Sequence, residues 1–176
     1  MKTVIVGMND PTFSDPSQAL STLYPRSSGR RLWLMSGMTA EEWEAAFERV
    51  NLVQSLEWSM TKAKLHASVL KENLKGRRVL VLGKQTWMAL GGSQRDPFFK
   101  TVDNWTLLPH TSGKNLYYNS APNRRKLKHV LRKAAKSSGE VEGLGQAPRP
   151  EKQSLRRRLQ ACRPILRRHV SEGSDA

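Results

Sequence analysis

The chain has 176 residues, enough for one domain with a tail and for a core that needs neither disulfides nor metal. Its 30 Lys and Arg against 15 Asp and Glu leave a net charge of +15. That balance argues against a neutral small-molecule enzyme and for a polyanionic partner, nucleic acid first and an anionic membrane surface as the rival.

Taken in order, Thr3 to Val6 is a β-branched apolar run ending at Gly7, expected as a buried strand. The run is too short for a signal peptide, and no stretch of 18 apolar residues follows, so a soluble intracellular protein is expected. Residues 9–27 form a long polar loop with Pro11, Pro16 and Pro25; loops of this length are usually functional or disordered. Ser27 or Ser28 can cap a short helix running through Leu32 and Met35. Thr39 and Glu42 have capping-box spacing, and Trp43, Ala46, Phe47 and Val50 follow at helical spacing.

Arg49 to Val53 reads as a second strand. Residues 58–75 read as a helix with Leu65, Val69 and neighbouring alanines toward the core, stopped by Gly76. Arg78 to Leu82 reads as a third strand, a helix around Thr86 to Leu90 follows, and Trp105 to Leu108 reads as a fourth strand. The last helix spans 121–136, with Leu127, Val130, Leu131 and Ala134 inward and Arg124, Arg125, Lys128 and Arg132 outward. Residues 137–151 have linker composition, and a basic tail containing Leu155-Arg156-Arg157-Arg158-Leu159 completes a second segment, 137–176. Residues 121–176 hold 15 basic and 5 acidic side chains, so two thirds of the net charge falls there.

Strands that are continuous apolar runs and alternate with helices predict an α/β fold. The expected core is a four-stranded, mostly parallel sheet covered on both faces, and the expected domain is 1–136. Ligands of such sheets bind at the carboxyl ends of the strands, which here carry Gly7 to Asp10, Asn51, Gly83-Lys84 and His110 to Asn115.

Two nucleotide motifs fail at these ends. Gly83-Lys84-Gln85-Thr86 lacks the earlier glycine and the Ser or Thr after lysine of a phosphate-binding loop. Gly7-Met8-Asn9 lacks the further glycines of a dinucleotide site. Asn9 and Asp10 can orient a water and face a developing positive charge, or serve as turn starters before Pro11. His110 can donate to an oxygen that gains charge, and Ser112-Gly113 offers backbone N–H groups to a phosphate. Asn51, inside an apolar run, presents a donor and an acceptor suited to a pyrimidine edge. Phe13 and Tyr24 in the polar loop are the better candidates for base stacking; Trp43, Phe47, Trp87 and Trp105 sit at core positions. The single cysteine, Cys162, excludes a disulfide framework and a cysteine-rich zinc site, and the four histidines show no metal-ligand spacing.

With these residues in place, residues 3–135 resemble the uracil-DNA glycosylase superfamily. The resemblance rests on Val4-Ile5-Val6-Gly7-Met8-Asn9, Ser28-Gly29-Arg30-Arg31-Leu32, Arg49-Val50-Asn51-Leu52, and the long segment Leu108-Pro109-His110-Thr111-Ser112-Gly113-Lys114-Asn115-Leu116-Tyr117-Tyr118-Asn119. It implies a three-layer αβα fold and a monofunctional glycosylase that flips a uracil or modified pyrimidine out of DNA and hydrolyses its base–sugar bond. Asn9 or the adjacent Asp10 would position water, Asn51 would read the base and His110 would stabilise the leaving base. Ser112 and Gly113 would hold the DNA backbone. Lys114 stands where the family inserts an apolar wedge. The chain departs from the pattern at Asp10, inserted before Pro11, and at Thr111, where the family has proline. No phenylalanine sits just before Ser28, where several subgroups stack the uracil.

The polar loop and the missing phenylalanine leave room for a larger base, such as a hydroxymethylated or glucosylated pyrimidine of viral DNA, with an antiviral role. Ser28, Arg30, Ser112, Gly113, Lys114, Asn115, Arg124, Arg125 and Lys128 form the expected DNA-binding set. No cofactor, metal or membrane partner is expected, and the chain is expected to be a monomer. The alternative is a non-catalytic DNA- or RNA-binding protein on the same fold.

Overall fold

A computed structural model gives the fold. It describes residues 1–9 and 15–139, so Asp10, Phe13 and the basic tail lie outside the described residues. The chain divides into two units, Met1–Leu144 and Gly145–Ala176, and all that follows belongs to the first.

Five strands form one sheet: β1 (Thr3–Gly7), β2 (Phe47–Asn51), β3 (Val79–Leu82), β4 (Thr101–Val102) and β5 (Trp105–Leu108). Their order is β2-β1-β3-β5-β4. The first four in that order run parallel, and β4 pairs antiparallel with β5. The sheet is therefore mixed and five-stranded, not four-stranded. The extra strand is two exposed residues in a tight return, too short to show a period in sequence.

Four α-helices lie between the strands, α1 (Ser28–Ser36), α2 (Ala40–Ala46), α3 (Met60–Asn73) and α4 (Lys84–Ala89), and α5 (Ala121–Gly139) follows the last strand. Side chains alternate across each strand and split the core into two clusters. Val4, Val6, Val79, Val81 and Leu107 pack against Ala63 and Ala67 of α3 and Trp87 of α4. Ile5, Leu80, Leu82 and Leu108 pack against Leu32 of α1, Trp43 of α2, and Leu127, Leu131 and Ala134 of α5. Helices thus cover both faces.

Three expectations change. Phe47 and Val50 leave the helical pattern: α2 ends at Ala46, and Phe47, at φ −123° and ψ 138°, begins β2. Pairing of residues 47–51 with Thr3–Gly7 satisfies five residues of backbone, which outweighs the local helical spacing. Trp43 and Phe47 still touch, with ring centroids 4.6 Å apart. Second, Leu65 and Val69 face solvent, 70% and 63% exposed. The buried stripe of α3 is Ala63 and Ala67, whose small side chains let the helix lie close to the sheet, with Leu70 partly buried behind them. Leu65 sits two residues on from Ala63, about 200° round the helix. Third, α5 runs three residues past Lys136.

The caps follow the sequence. Ser27 accepts from the Arg30 N–H, and Thr39 and Glu42 form the reciprocal capping box.

Candidate functional site at the carboxyl edge of the sheet

Because four strands are parallel, their carboxyl ends meet at one edge. Gly7 pairs with Asn51 at the ends of β1 and β2. Gly83 follows β3, and its N–H donates to the Leu108 carbonyl of β5 at 2.8 Å. His110 comes two residues after β5. The edge therefore reads Asn51, Gly7, Gly83, His110, with the two outer backbones separated by three strand spacings of about 4.8 Å each.

The two glycines keep the middle of this edge low. A Cβ on Gly7 would lie 2.6 Å from Asn51 Oδ1 and 3.1 Å from the Leu20 side chain. Gly83 has φ +89°, which disfavours any other residue, and a Cβ there would lie 3.2 Å from His110 Cβ. Gly7 thus lies against the Asn51 amide and Gly83 against the His110 side chain.

Among the described residues, Asn51 Oδ1 is shut off from solvent and has no hydrogen-bond partner. A buried amide oxygen left so forfeits about 1–3 kcal/mol; Trp43 Nε1, Arg49 Nη1, Arg77 Nε and Thr86 Oγ1 are left in the same way. His110 is set up differently. Burial pushes its pKa below the ordinary histidine value, which favours the neutral ring. Its Nδ1 accepts the Ser112 N–H at 3.1 Å. The ring proton must then sit on Nε2, which makes that nitrogen a donor.

Asn9 is clamped as well: its Nδ2 donates to the Ser55 carbonyl at 3.2 Å and the Leu56 carbonyl at 2.9 Å. The amide nitrogen is thus committed to the 55–56 backbone.

The segment carrying His110 is tied down along its length. Asn115 Nδ2 donates to the His110 carbonyl at 2.7 Å, and its Oδ1 accepts from the Tyr117 N–H. The Tyr118 hydroxyl donates to the Pro109 carbonyl at 3.0 Å, and burial raises its pKa. Thr111 is fully buried and its hydroxyl donates to the Ser28 carbonyl at 2.8 Å. Asn115 and Ser28 thus act on the scaffold of the site through their own contacts.

The expected DNA-binding set divides by what each side chain already holds. Arg30 donates to the Thr22 carbonyl at 3.1 Å and stands 5.8 Å from the Trp33 ring centroid. Arg124 donates to the carbonyls of Tyr118 and Asn119 at 2.7 and 2.9 Å, holding the short 3-10 turn Leu116–Asn119. Gly113, Lys114, Arg125 and Lys128 are exposed, and Ser112 is half-buried. Tyr24 is 39% exposed on the loop before α1. Lys84, at the strand-three end, donates to the carbonyls of Gln94 and Asp96, so it braces the 91–100 loop.

Several residues of this edge carry no sequence signal. Arg31 Nη1 would lie 3.0 Å from a Cβ on Gly113, beside the expected phosphate-holding segment. Leu23, Leu56 and Leu116, the last in the 3-10 turn, are 75%, 53% and 71% exposed. Single leucines within polar loops show no periodicity. Among the described residues no three His, Cys, Asp or Glu side chains gather to hold a metal ion, and no helix is long and apolar enough to cross a membrane.

One sheet edge thus carries an amide at the end of β2, an imidazole after β5 and the Asn9 amide after β1. No protein-family model matches the chain, and no curated protein sequence does either.

Proposed function

We propose that this chain is a monofunctional DNA glycosylase that hydrolyses the N-glycosidic bond of a flipped-out uracil or modified pyrimidine and leaves an abasic site. The reading belongs with a three-layer αβα domain of the uracil-DNA glycosylase kind. The observation that supports it is the sharing of one sheet edge by Asn51, whose buried Oδ1 has no partner among the described residues, and His110, whose Nε2 is a donor.

A pyrimidine carries a ring N–H or exocyclic amine and a carbonyl oxygen, which Asn51 and His110 complement. A base inside a duplex is out of reach of such an edge, so it is extruded at a cost of a few kcal/mol, offset by cationic contacts to phosphate. As the base–sugar bond lengthens, the sugar gains oxocarbenium character and the base oxygen gains negative charge. The His110 Nε2–H stabilises that oxygen as a neutral donor. The Asn9 carbonyl oxygen accepts from the water that attacks the sugar carbon. Asp10, next in the sequence, is the alternative water-positioning group.

The experiment is incubation with DNAs containing uracil, hydroxymethylated and glucosylated pyrimidines, followed by alkali and mass spectrometry of released bases. A free base and an alkali-labile site on one of them supports the reading. Intact strands on every substrate, with binding retained, would replace it by a non-catalytic DNA- or RNA-binding role.

A further inference from the structure

The longest helix of the described residues leads away from the site and is basic along its whole exposed face. Helix α5 starts just after the Leu116–Asn119 turn at the carboxyl edge of the sheet. It ends at the opposite edge, where Ser138 Oγ accepts from the Thr3 N–H at 3.2 Å and the Ala134 carbonyl accepts from Thr3 Oγ1. It therefore runs antiparallel to the strands for 19 residues, about 28 Å.

Leu127, Leu131 and Ala134 face the core. The opposite side carries Arg125, Arg132 and Lys136, flanked by Lys128 and Lys133, all exposed. Neither α5 nor the adjoining α1 contains an Asp or Glu. The three ion pairs among the described residues, Arg49–Glu44, Arg77–Glu48 and Lys100–Asp96, lie on other elements. Arg132 is held in place, donating to the Ser36 and Gly37 carbonyls at 3.4 and 2.8 Å, and Lys128 Nζ sits beside Gly37. The nearest carboxylate on α2 that lines the same cleft as Arg132 and Lys136 is Glu42, which accepts from the Thr39 N–H.

We propose that this ridge, from Arg125 at the site to Lys136 at the far edge, is the track of a single strand of DNA leaving the site. The inference rests on the glycosylase reading for where the strand begins. Its direction decides the kind of nucleic acid. A duplex presented to the strand ends must turn sharply over the rim to follow α5, against a persistence length of about 150 bp. A single strand follows a cationic groove round such a corner without that stiffness.

The test is binding of the full chain, by fluorescence anisotropy, to labelled 8- and 20-nucleotide single strands and to the matched 20-bp duplex across a salt series. The variant Arg125→Gln/Lys128→Gln/Lys136→Gln removes three cations. The control Lys62→Gln/Lys64→Gln/Lys75→Gln removes three exposed cations from around α3. The ridge variant is expected to shallow the slope of log K against log salt on the 20-nucleotide strand by about 2, at roughly 0.7 per phosphate contact, while the control leaves it unchanged. Ultraviolet crosslinking of the unmodified chain is expected to place the strand on α5 peptides, which keeps the test independent of any variant's folding. Equal losses from both triple variants, or a ridge effect confined to the duplex, overturn the proposal. If bases are released while the ridge variant binds like the parent, the track alone is wrong. If no base is released while the ridge effect stands, the glycosylase reading alone is wrong.

Discussion

His110 does its proposed work as a neutral donor, and that gives it two measurable signatures. Replacing it with alanine is expected to lower kcat by roughly 10²–10³ while DNA binding changes little, since one preorganised donor to a developing charge typically contributes about 2.7–4 kcal/mol. Single-turnover excision beside anisotropy checks the split. The second signature is in stability. Burial lowers the folded-state pKa of His110, so the folded state binds its proton less readily than the unfolded chain does. The resulting stability is present above the unfolded value of about 6.5 and is lost as pH falls through the lower folded value. His110→Gln is expected to flatten that part of the profile, measured as urea midpoints between pH 7.5 and 5. Gly7→Ala probes the Asn51 side of the edge. Its new Cβ would meet Asn51 Oδ1 at 2.6 Å, so the variant is expected to fold, release base slowly and discriminate poorly among pyrimidines. Competition between two modified substrates reads this directly.

At the scale of elements, the segment 109–118 shows how a departure from a familiar pattern is absorbed. Thr111 donates to the Ser28 carbonyl and so joins the His110 loop to the start of α1. Thr111→Val keeps the shape and removes one hydrogen bond; a loss of about 0.5–1.5 kcal/mol is expected from chemical denaturation. In the α5 face of the core, Leu131 is fully buried, and Leu131→Ala is expected to cost about 2–5 kcal/mol. The 91–100 loop is held by Asp96, whose carboxylate accepts from Lys100, Trp87 Nε1 and the Ser93 N–H. Lys100 first, then Trp87 and Ser93, keep its pKa below the usual carboxylate range. The elements also show where pattern reading works. The Thr39–Glu42 box marked a helix start because both partners lie within one turn. The end of α2 was not legible, because the strand that begins at Phe47 owes its existence to β1, more than forty residues earlier. For the same reason Leu65 and Val69 read as core, although the sheet accepts only the alanine stripe.

For the whole molecule, the charge is placed more narrowly than the composition suggests. Residues 121–136 carry seven Lys and Arg and no carboxylate, whereas residues 140–176 carry eight Lys and Arg and five Asp and Glu. A chain ending at Gly139 is therefore expected to retain most of its salt-dependent DNA affinity, with a slope only modestly shallower than that of the full chain, measured by the same salt series. The sequence by itself determined the class of fold, the four parallel strands and most helix starts, because apolar runs, caps and glycine stops act over a few residues. It also marked Asn9, Asn51 and His110, since polar groups at the ends of apolar strands stand out from their neighbours. Only the tertiary structure decided that Asn51 and His110 share one sheet edge with Gly7 and Gly83 between their strands, that Nε2 is the donor of His110, and that Arg30 and Arg124 are held by backbone carbonyls. Strand order and loop contacts join residues dozens of positions apart, and no local spacing encodes which strand becomes whose neighbour.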